Sequence, residues 1–167
     1  MKNQILITAA AVLLISGCSG NQESMNPFFS EYNTPFGVPP FQKIENKHFL
    51  PAFEEGIRQQ QQEIDDIITC MEVPDFNNTI AAFDQSGSLL RKVGGVFYKL
   101  RSAETCDEID SIAELLVPLT SGHKSNMMLN EDLFKRIKTV YDNRENENLN
   151  QEQSRAVSYT HLTLPTN

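Results

Sequence analysis

The sequence holds no tryptophan, and of its 167 residues only three are cysteine and three histidine. Without Trp, ten phenylalanines must carry most of the aromatic burial. His48, His123 and His161 stand far apart, none lies in a His-Glu-x-x-His pattern, and no pair has a metal-ligand spacing. No metal-binding set is therefore expected in this chain. The cysteines form neither a disulfide framework nor a Cys-x-x-Cys site. Basic residues are scarce too, 14 against 22 acidic ones. A nucleic-acid binder would carry a basic patch, so no nucleic-acid partner is expected, and the acidity speaks first to solubility. Also missing is any apolar alternation of period two that would mark strands.

One long hydrophobic run is present. "MKNQILITAAAVLLISGCSG" offers a single Lys, an apolar stretch over residues 5–15, then small residues before a cysteine. That is the layout of a secretory signal over residues 1–17, with a run too short to span a bilayer permanently. Ile15-Ser16-Gly17-Cys18 further resembles a bacterial lipobox, which makes Cys18 the lipidated N-terminus of the mature chain. Two acyl signals on one cysteine suffice for stable anchoring. The expected location is the bacterial cell envelope, facing the periplasm or on the outer membrane, with the membrane itself a partner through that lipid. Losing the one Lys of the signal leaves 13 basic residues against 22 acidic, a net charge of about −9. The two cysteines that remain, Cys70 and Cys106, either pair in an oxidising compartment or behave as small buried hydrophobes, and the second reading is preferred.

Residues 18–25 read as the lipidated Cys and a polar tether. Residues 26–48 are rich in Pro and Phe, and Pro27, Pro35, Pro39 and Pro40 forbid a continuous helix there. The economical reading is an extended arm laying Phe28, Phe29, Phe36 and Phe41 across a helical body. From Phe49 the period changes. Phe49, Phe53, Ile57, Ile64 and Ile68 share one helical face, with "RQQQQE" on the wet side. Asp75 is placed to cap a second helix whose stripe is Ile80, Phe83, Gly87, Leu90, Gly94, Phe97 and Arg101. Gly87, Gly94 and Gly95 are expected to admit a close neighbour. Thr105-Cys106-Asp107-Glu108 has the capping-box pattern and opens a third helix, striped by Ile109, Ile112, Leu116, Leu119, His123 and Met127. Pro118 should kink it near Glu114. A fourth helix follows Asn130, with Leu133, Phe134, Ile137, Val140 and Tyr141 inward, and Asn150-x-x-Gln153 looks like the opening of a fifth. The fold class is all-α.

Candidate chemistry is thin. His123 on an apolar stripe reads as a core histidine with its hydrogen bonds met, and His48, at a helix entrance, as a local hydrogen-bonder. Ser111, Ser121 and Ser125 lack a nucleophile-elbow context. Glu54-Glu55 and Asp65-Asp66 fall on a solvated helix face rather than forming an acid/base pair. "GSLLRKVGG" has neither Walker nor dinucleotide spacing, and Asn77-Asn78-Thr79 is formally a glycosylation sequon of little weight behind a bacterial lipobox. No catalytic residue is assigned in this chain, no metal ligand, and only one modification site, the lipidation at Cys18.

Three stretches carry a family resemblance: "NPFF-EY-TPFGVPPF-KI---HFLPAFEEGI", "NTI-AFD-SG-LL-KV-GVFY-L-SAET" and "I---PL-S-H-----LN--LF-RIK-VYD". Together, over about residues 26–153, they resemble the N-terminal region of bacterial peptidyl-dipeptidases, in the thimet-oligopeptidase and oligopeptidase A family of zinc metallopeptidases. The resemblance implies an almost wholly helical, two-lobed molecule with a deep channel between the lobes. It implies a carboxypeptidase-like hydrolase that releases C-terminal dipeptides from oligopeptides. It implies zinc held by His-Glu-x-x-His and a later Glu, with the motif's Glu as general base. None of those ligands occurs here, so nothing catalytic is carried over to any position. What is carried over is architectural: the arm and residues 49–156 would form a truncated N-terminal lobe and one wall of the channel. The remainder of the catalytic domain would be missing, and the chain alone inactive and zinc-free.

"VSYTHLTLPT", residues 157–166, departs from that pattern. It has no Asp, Glu, Lys or Arg and is rich in Thr, a poor helix former. Residue for residue it is the translation of a transposase mosaic end and its primer extension (GTC TCT TAT ACA CAT CTG ACG CTG CCG ACG). Residues 157–167 are accordingly expected to be a non-native tail. The alternative treats them as native: a complete small lipid-anchored lipoprotein whose helical body binds peptides or serves as a scaffold.

Overall fold

The computed structural model describes residues 25–104 and 106–163, and among these every regular element is helical. The signal, Cys18 and nearly all of the tether lie outside the described residues. The all-α expectation is met.

Residues 26–48 form an arm of four single 3₁₀ turns, Pro27–Phe29, Pro35–Gly37, Phe41–Lys43 and Asn46–His48. The arm was expected to lay four aromatics on the body, but only Phe28 does so, at 1% exposure, while Phe29, Phe36 and Phe41 face solvent. Three prolines between Thr34 and Phe41 fix the backbone direction there, whatever the hydrophobicity of the side chains.

Helix α1 (Phe49–Thr69) is the spine. Its inward face is Phe49, Ala52, Phe53, Gly56, Ile64 and Ile67, whereas Ile57 and Ile68 are only half-buried. The N-terminal half packs with Phe28, Val93, Val96, Phe97, Ile109 and Leu116. Phe49 and Phe97 meet edge to face at 5.0 Å, and Phe53 and Phe97 at 5.6 Å. The C-terminal half packs into a second cluster with Ile80, Leu133, Ile137, Val140 and Val157.

The second helix of the sequence reading is three pieces. A π-helical turn, Phe76–Ala81, starts at Asp75, whose carboxylate accepts from the Asn78 N–H at 2.7 Å. Helix α2 (Ala82–Gln85) follows, then a break at Ser86-Gly87, then α3 (Ser88–Ala103). Gly87 adopts φ 71°, the left-handed region that favours glycine. Its role is this turn and not a helix–helix approach. Gly94 meets Phe53 only at ordinary contact distance and Gly95 meets nothing, so neither is a close-approach site. That place belongs to Gly56: a Cβ there would lie 3.0 Å from the Cα and the N of Leu90 on α3.

Helix α4 (Asp107–Met128) has Cys106 as its N-cap, without a side-chain cap bond, while Thr105, from which the capping box was read, lies outside the described residues. It runs through Pro118 without interruption. The hydroxyls of Thr120 and Ser121 fold back on the carbonyls of Leu116 and Val117, at 2.8 and 2.6 Å. Its buried side is Ile109, Ala113, Leu116 and His123, while Leu115, Val117 and Leu119 remain exposed.

Helix α5 (Glu131–Asn143) is capped by Asn130, which accepts from the Asp132 and Leu133 N–H groups. Asn150 and Gln153 exchange backbone and side-chain bonds at 2.9 Å to open α6 (Gln151–Thr163). The helix crosses the expected boundary at residue 156. Val157 is 0% exposed in the second cluster and His161 stacks on Tyr141 at 4.1 Å. Here packing on α5 overrides the low helix propensity of the Thr residues.

Candidate functional site

Among the described residues, two places where polar groups converge lie along α1. The first is a groove of about 770 Å³ between the arm, the start of α1 and the start of α3. Phe28, Phe29, Pro51 and Leu89 make its apolar surface, and Glu54 and Arg58 stand on its polar side. Arg58 is engaged already: Nε and Nη2 donate to the Glu55 carboxylate, both at 2.8 Å, and Gln59 donates to the same group. Those donors hold the Glu55 carboxyl down at about 2, with hydrogen bonds from Arg58 first and Gln59 next. Glu54 and both aspartates, Asp65 and Asp66, are exposed, as the solvated-face reading expects.

Lys92 closes one end of the groove. Its ammonium donates to the Phe28 carbonyl at 3.1 Å and the Ser30 carbonyl at 2.6 Å, and sits 4.0 Å from the centroid of the Tyr32 ring. Burial lowers its pKa. Sequence reasoning did not single out Lys92, since a lysine in a helix carries no pattern that names carbonyls sixty residues away.

The second place is a bridge across three elements. His123 of α4 donates from Nε2 to Gln60 Oε1 at 2.8 Å, and Gln60 Nε2 donates to Ser86 Oγ at 3.2 Å. Ser86 passes its own proton to the Phe83 carbonyl at 2.8 Å, and Glu63 accepts from the Gly87 N–H at 2.6 Å. The set caps the left-handed turn between α2 and α3. It cannot activate a nucleophile, because an amide separates the imidazole from a hydroxyl that is already donating. Burial lowers the His123 pKa, which keeps the ring neutral. His123 is thus the core histidine that its stripe position implied.

The remaining candidates stay apart. His48 accepts the Glu45 N–H through Nδ1 at 3.0 Å, a local bond as expected, and His161 belongs to the stack on α5. Ser111 and Ser121 donate back to the carbonyls of Asp107 and Val117, one turn earlier in the helix. Asn77, the acceptor position of the formal sequon, is exposed, while Asn78 bonds to Asp75 and Val73 and Thr79 is fully buried. Cys70 and Cys106 are both free thiols, and Cys106 is exposed, which corrects the buried-hydrophobe reading for that residue. Among the described residues no three His, Cys, Asp or Glu side chains gather to hold a metal, and no helix is long and apolar enough to cross a membrane.

No family model matches the chain. Compared with curated proteins, it is 38% identical over 138 residues to a dipeptidyl carboxypeptidase of Escherichia coli (strain K12), covering 83% of this chain and 20% of that protein. A dipeptidyl carboxypeptidase of Salmonella typhimurium (strain LT2) is 36% identical over the same length. Oligopeptidase A of Escherichia coli (strain K12) is 23% identical over 124 residues, 74% of this chain and 18% of that protein. The chain spans about a fifth of the length of the curated relatives it matches.

Proposed function

This chain belongs, over the residues it shares with them, to the family of the dipeptidyl carboxypeptidases and oligopeptidase A, and we propose that it is the N-terminal, non-catalytic part of a zinc peptidyl-dipeptidase. In this reading the whole protein removes dipeptides from the C-termini of oligopeptides in the bacterial cell envelope, held there by a lipid on Cys18. The observation that carries it is the 38% identity across four-fifths of the chain. The three histidines do not fit a zinc site: His48 accepts the Glu45 N–H, His123 donates to Gln60, His161 stacks on Tyr141, and no pair is set a helical turn apart. Zinc would be held by residues outside this sequence and would there supply a Lewis acid and an activated water. These helices contribute walls and position.

Two experiments decide it. A long read through the coding frame beyond Ala156 should continue and reach His-Glu-x-x-His. A frame that closes within the Thr-rich segment on native DNA overturns the reading. The 167-residue chain, incubated with blocked oligopeptides and zinc, should release no dipeptide; zinc-dependent release would place the active site here after all.

A second reading is favoured by α6. Val157 fills the core between α1 and α5, and His161 stacks on Tyr141, as a native helix would. On that reading the segment after residue 156 belongs to a small lipoprotein that binds peptides in the groove beside Lys92. The same long read separates the two, because it reports whether the codons of residues 157–167 are genomic.

A further inference from the structure

Phe36 is the most exposed large hydrophobic side chain of the described residues, at 103%, and the one non-glycine residue there with positive φ, 60°. A bulky side chain in the left-handed region is strained, and such strain persists only where neighbours impose it. Here they do. The Gly37 N–H donates to the Thr34 carbonyl at 3.1 Å, the Thr34 hydroxyl donates to the Val38 carbonyl at 2.5 Å, and Pro35, Pro39 and Pro40 fix the flanking backbone. The turn is a stiff projection that holds an aromatic ring in water. Val38 and Phe41 beside it, and Phe29 earlier in the arm, are also exposed.

Charge and reach narrow the occupant. In a chain with 22 acidic residues, positions 32–44 contain none, and their only charged side chain is Lys43. Ahead of the arm, six residues separate Cys18 from Met25, so seven peptide links span at most about 25 Å. We propose that the Thr34–Val38 turn docks in the interface of the lipid bilayer, with Phe36 and Val38 among the headgroups and Lys43 over anionic lipid. This rests on the reading of Cys18 as the lipid anchor. An exposed apolar turn with a lysine in the same stretch, whose nearest acidic residues in sequence are Glu31 and Glu45, and tethered within a few nanometres of an acyl chain, has the chemistry of an interfacial element. The clamp of Lys92 on the Phe28 and Ser30 carbonyls would then set how the helical body stands on the membrane.

These 167 residues hold no tryptophan, so within them Phe36→Trp and, separately, Phe41→Trp each give a single indole reporter. Leu115→Trp on the exposed side of α4 serves as the control. The mature acylated protein is placed in vesicles of phosphatidylethanolamine with a minority of phosphatidylglycerol, some lipids carrying a nitroxide near the headgroup. The expected result is a blue shift and loss of most of the emission for the two arm reporters, with no change for Leu115→Trp. Unchanged emission from the arm in vesicle-bound, acylated protein overturns the proposal and leaves the anchor reading intact. A blue shift already present without vesicles also overturns it, because the turn is then covered by further polypeptide or a second copy. Mass spectrometry of Cys18 reads the anchor separately. An unacylated Cys18 with no quenching sinks both, and quenching without acylation supports the turn alone.

Discussion

Gly56 of α1 lies so near the backbone of Leu90 on α3 that an added Cβ would sit 3.0 Å from the Leu90 Cα and N. A backbone atom cannot swing aside as a side-chain tip can, so α1 and α3 touch there because one residue has no side chain. Gly56→Ala is expected to cost about 1–3 kcal/mol by pushing the helices apart. Gly95→Ala, on the open side of α3, should instead stabilise by about 0.5–1 kcal/mol. Urea unfolding of the two variants checks both signs, and equal effects would remove the distinction.

Gly87 carries a different constraint. Its φ of 71° and a Cβ position 2.5 Å from Gln60 Nε2 oppose any side chain. Gly87→Ala should cost roughly 1–2 kcal/mol for the left-handed backbone alone. Removing the obstacle with Gln60→Ala should recover little of it, since the backbone term remains. A double-mutant cycle by thermal unfolding gives the split.

The bridge through His123 predicts a pH response. Burial lowers its pKa below the ordinary 6.5, so the unfolded chain takes up a proton first as pH falls through that value. Stability should therefore fall with acidification from neutral pH down through the folded-state pKa, and be unaffected by this group above neutrality. His123→Gln should flatten that part of the profile, while the loss associated with Glu55, whose carboxyl is held at about 2, remains at more acid pH. Unfolding midpoints across the range decide it; an unchanged slope in the variant would assign the response elsewhere.

Lys92→Met keeps the aliphatic stem and removes the ammonium from two carbonyls and the Tyr32 ring. Because the site is partly open to solvent, the expected loss is about 1 kcal/mol, below the range for fully buried charged bonds. The clearer readout is local. Brief proteolysis should cut the arm between residues 29 and 44 faster in the variant, with α1 and α3 unaffected.

Much of this architecture was legible where spacing and caps agree. Phe49, Phe53 and Ile64 announce α1, and Asp75, Asn130 and the Asn150–Gln153 pair each begin the element they were read to begin. The break at Ser86-Gly87 was hidden because Ile80, Phe83, Gly87, Leu90, Gly94 and Phe97 keep helical spacing across it. A left-handed residue leaves no trace in periodicity. Gly56, between Glu55 and Ile57, carries no signal until the partner backbone is placed. In the arm, composition could not separate Phe28, which is buried, from Phe36, which is not. At the site, the helix entrance at His48 and the apolar stripe at His123 announced their local bond and their burial. The groove beside Lys92 depends on contacts across more than sixty residues.

That separation bears on the order of events during synthesis. Phe28 finds its place against Phe49, which in turn meets Phe97, and its carbonyl is held by a lysine 64 residues further along. Contacts so distant in sequence form late, after the loop between them has closed at its entropic cost. The first part of the body to emerge is thus the last to settle, and until Lys92 has folded into α3 the arm has nothing to grip.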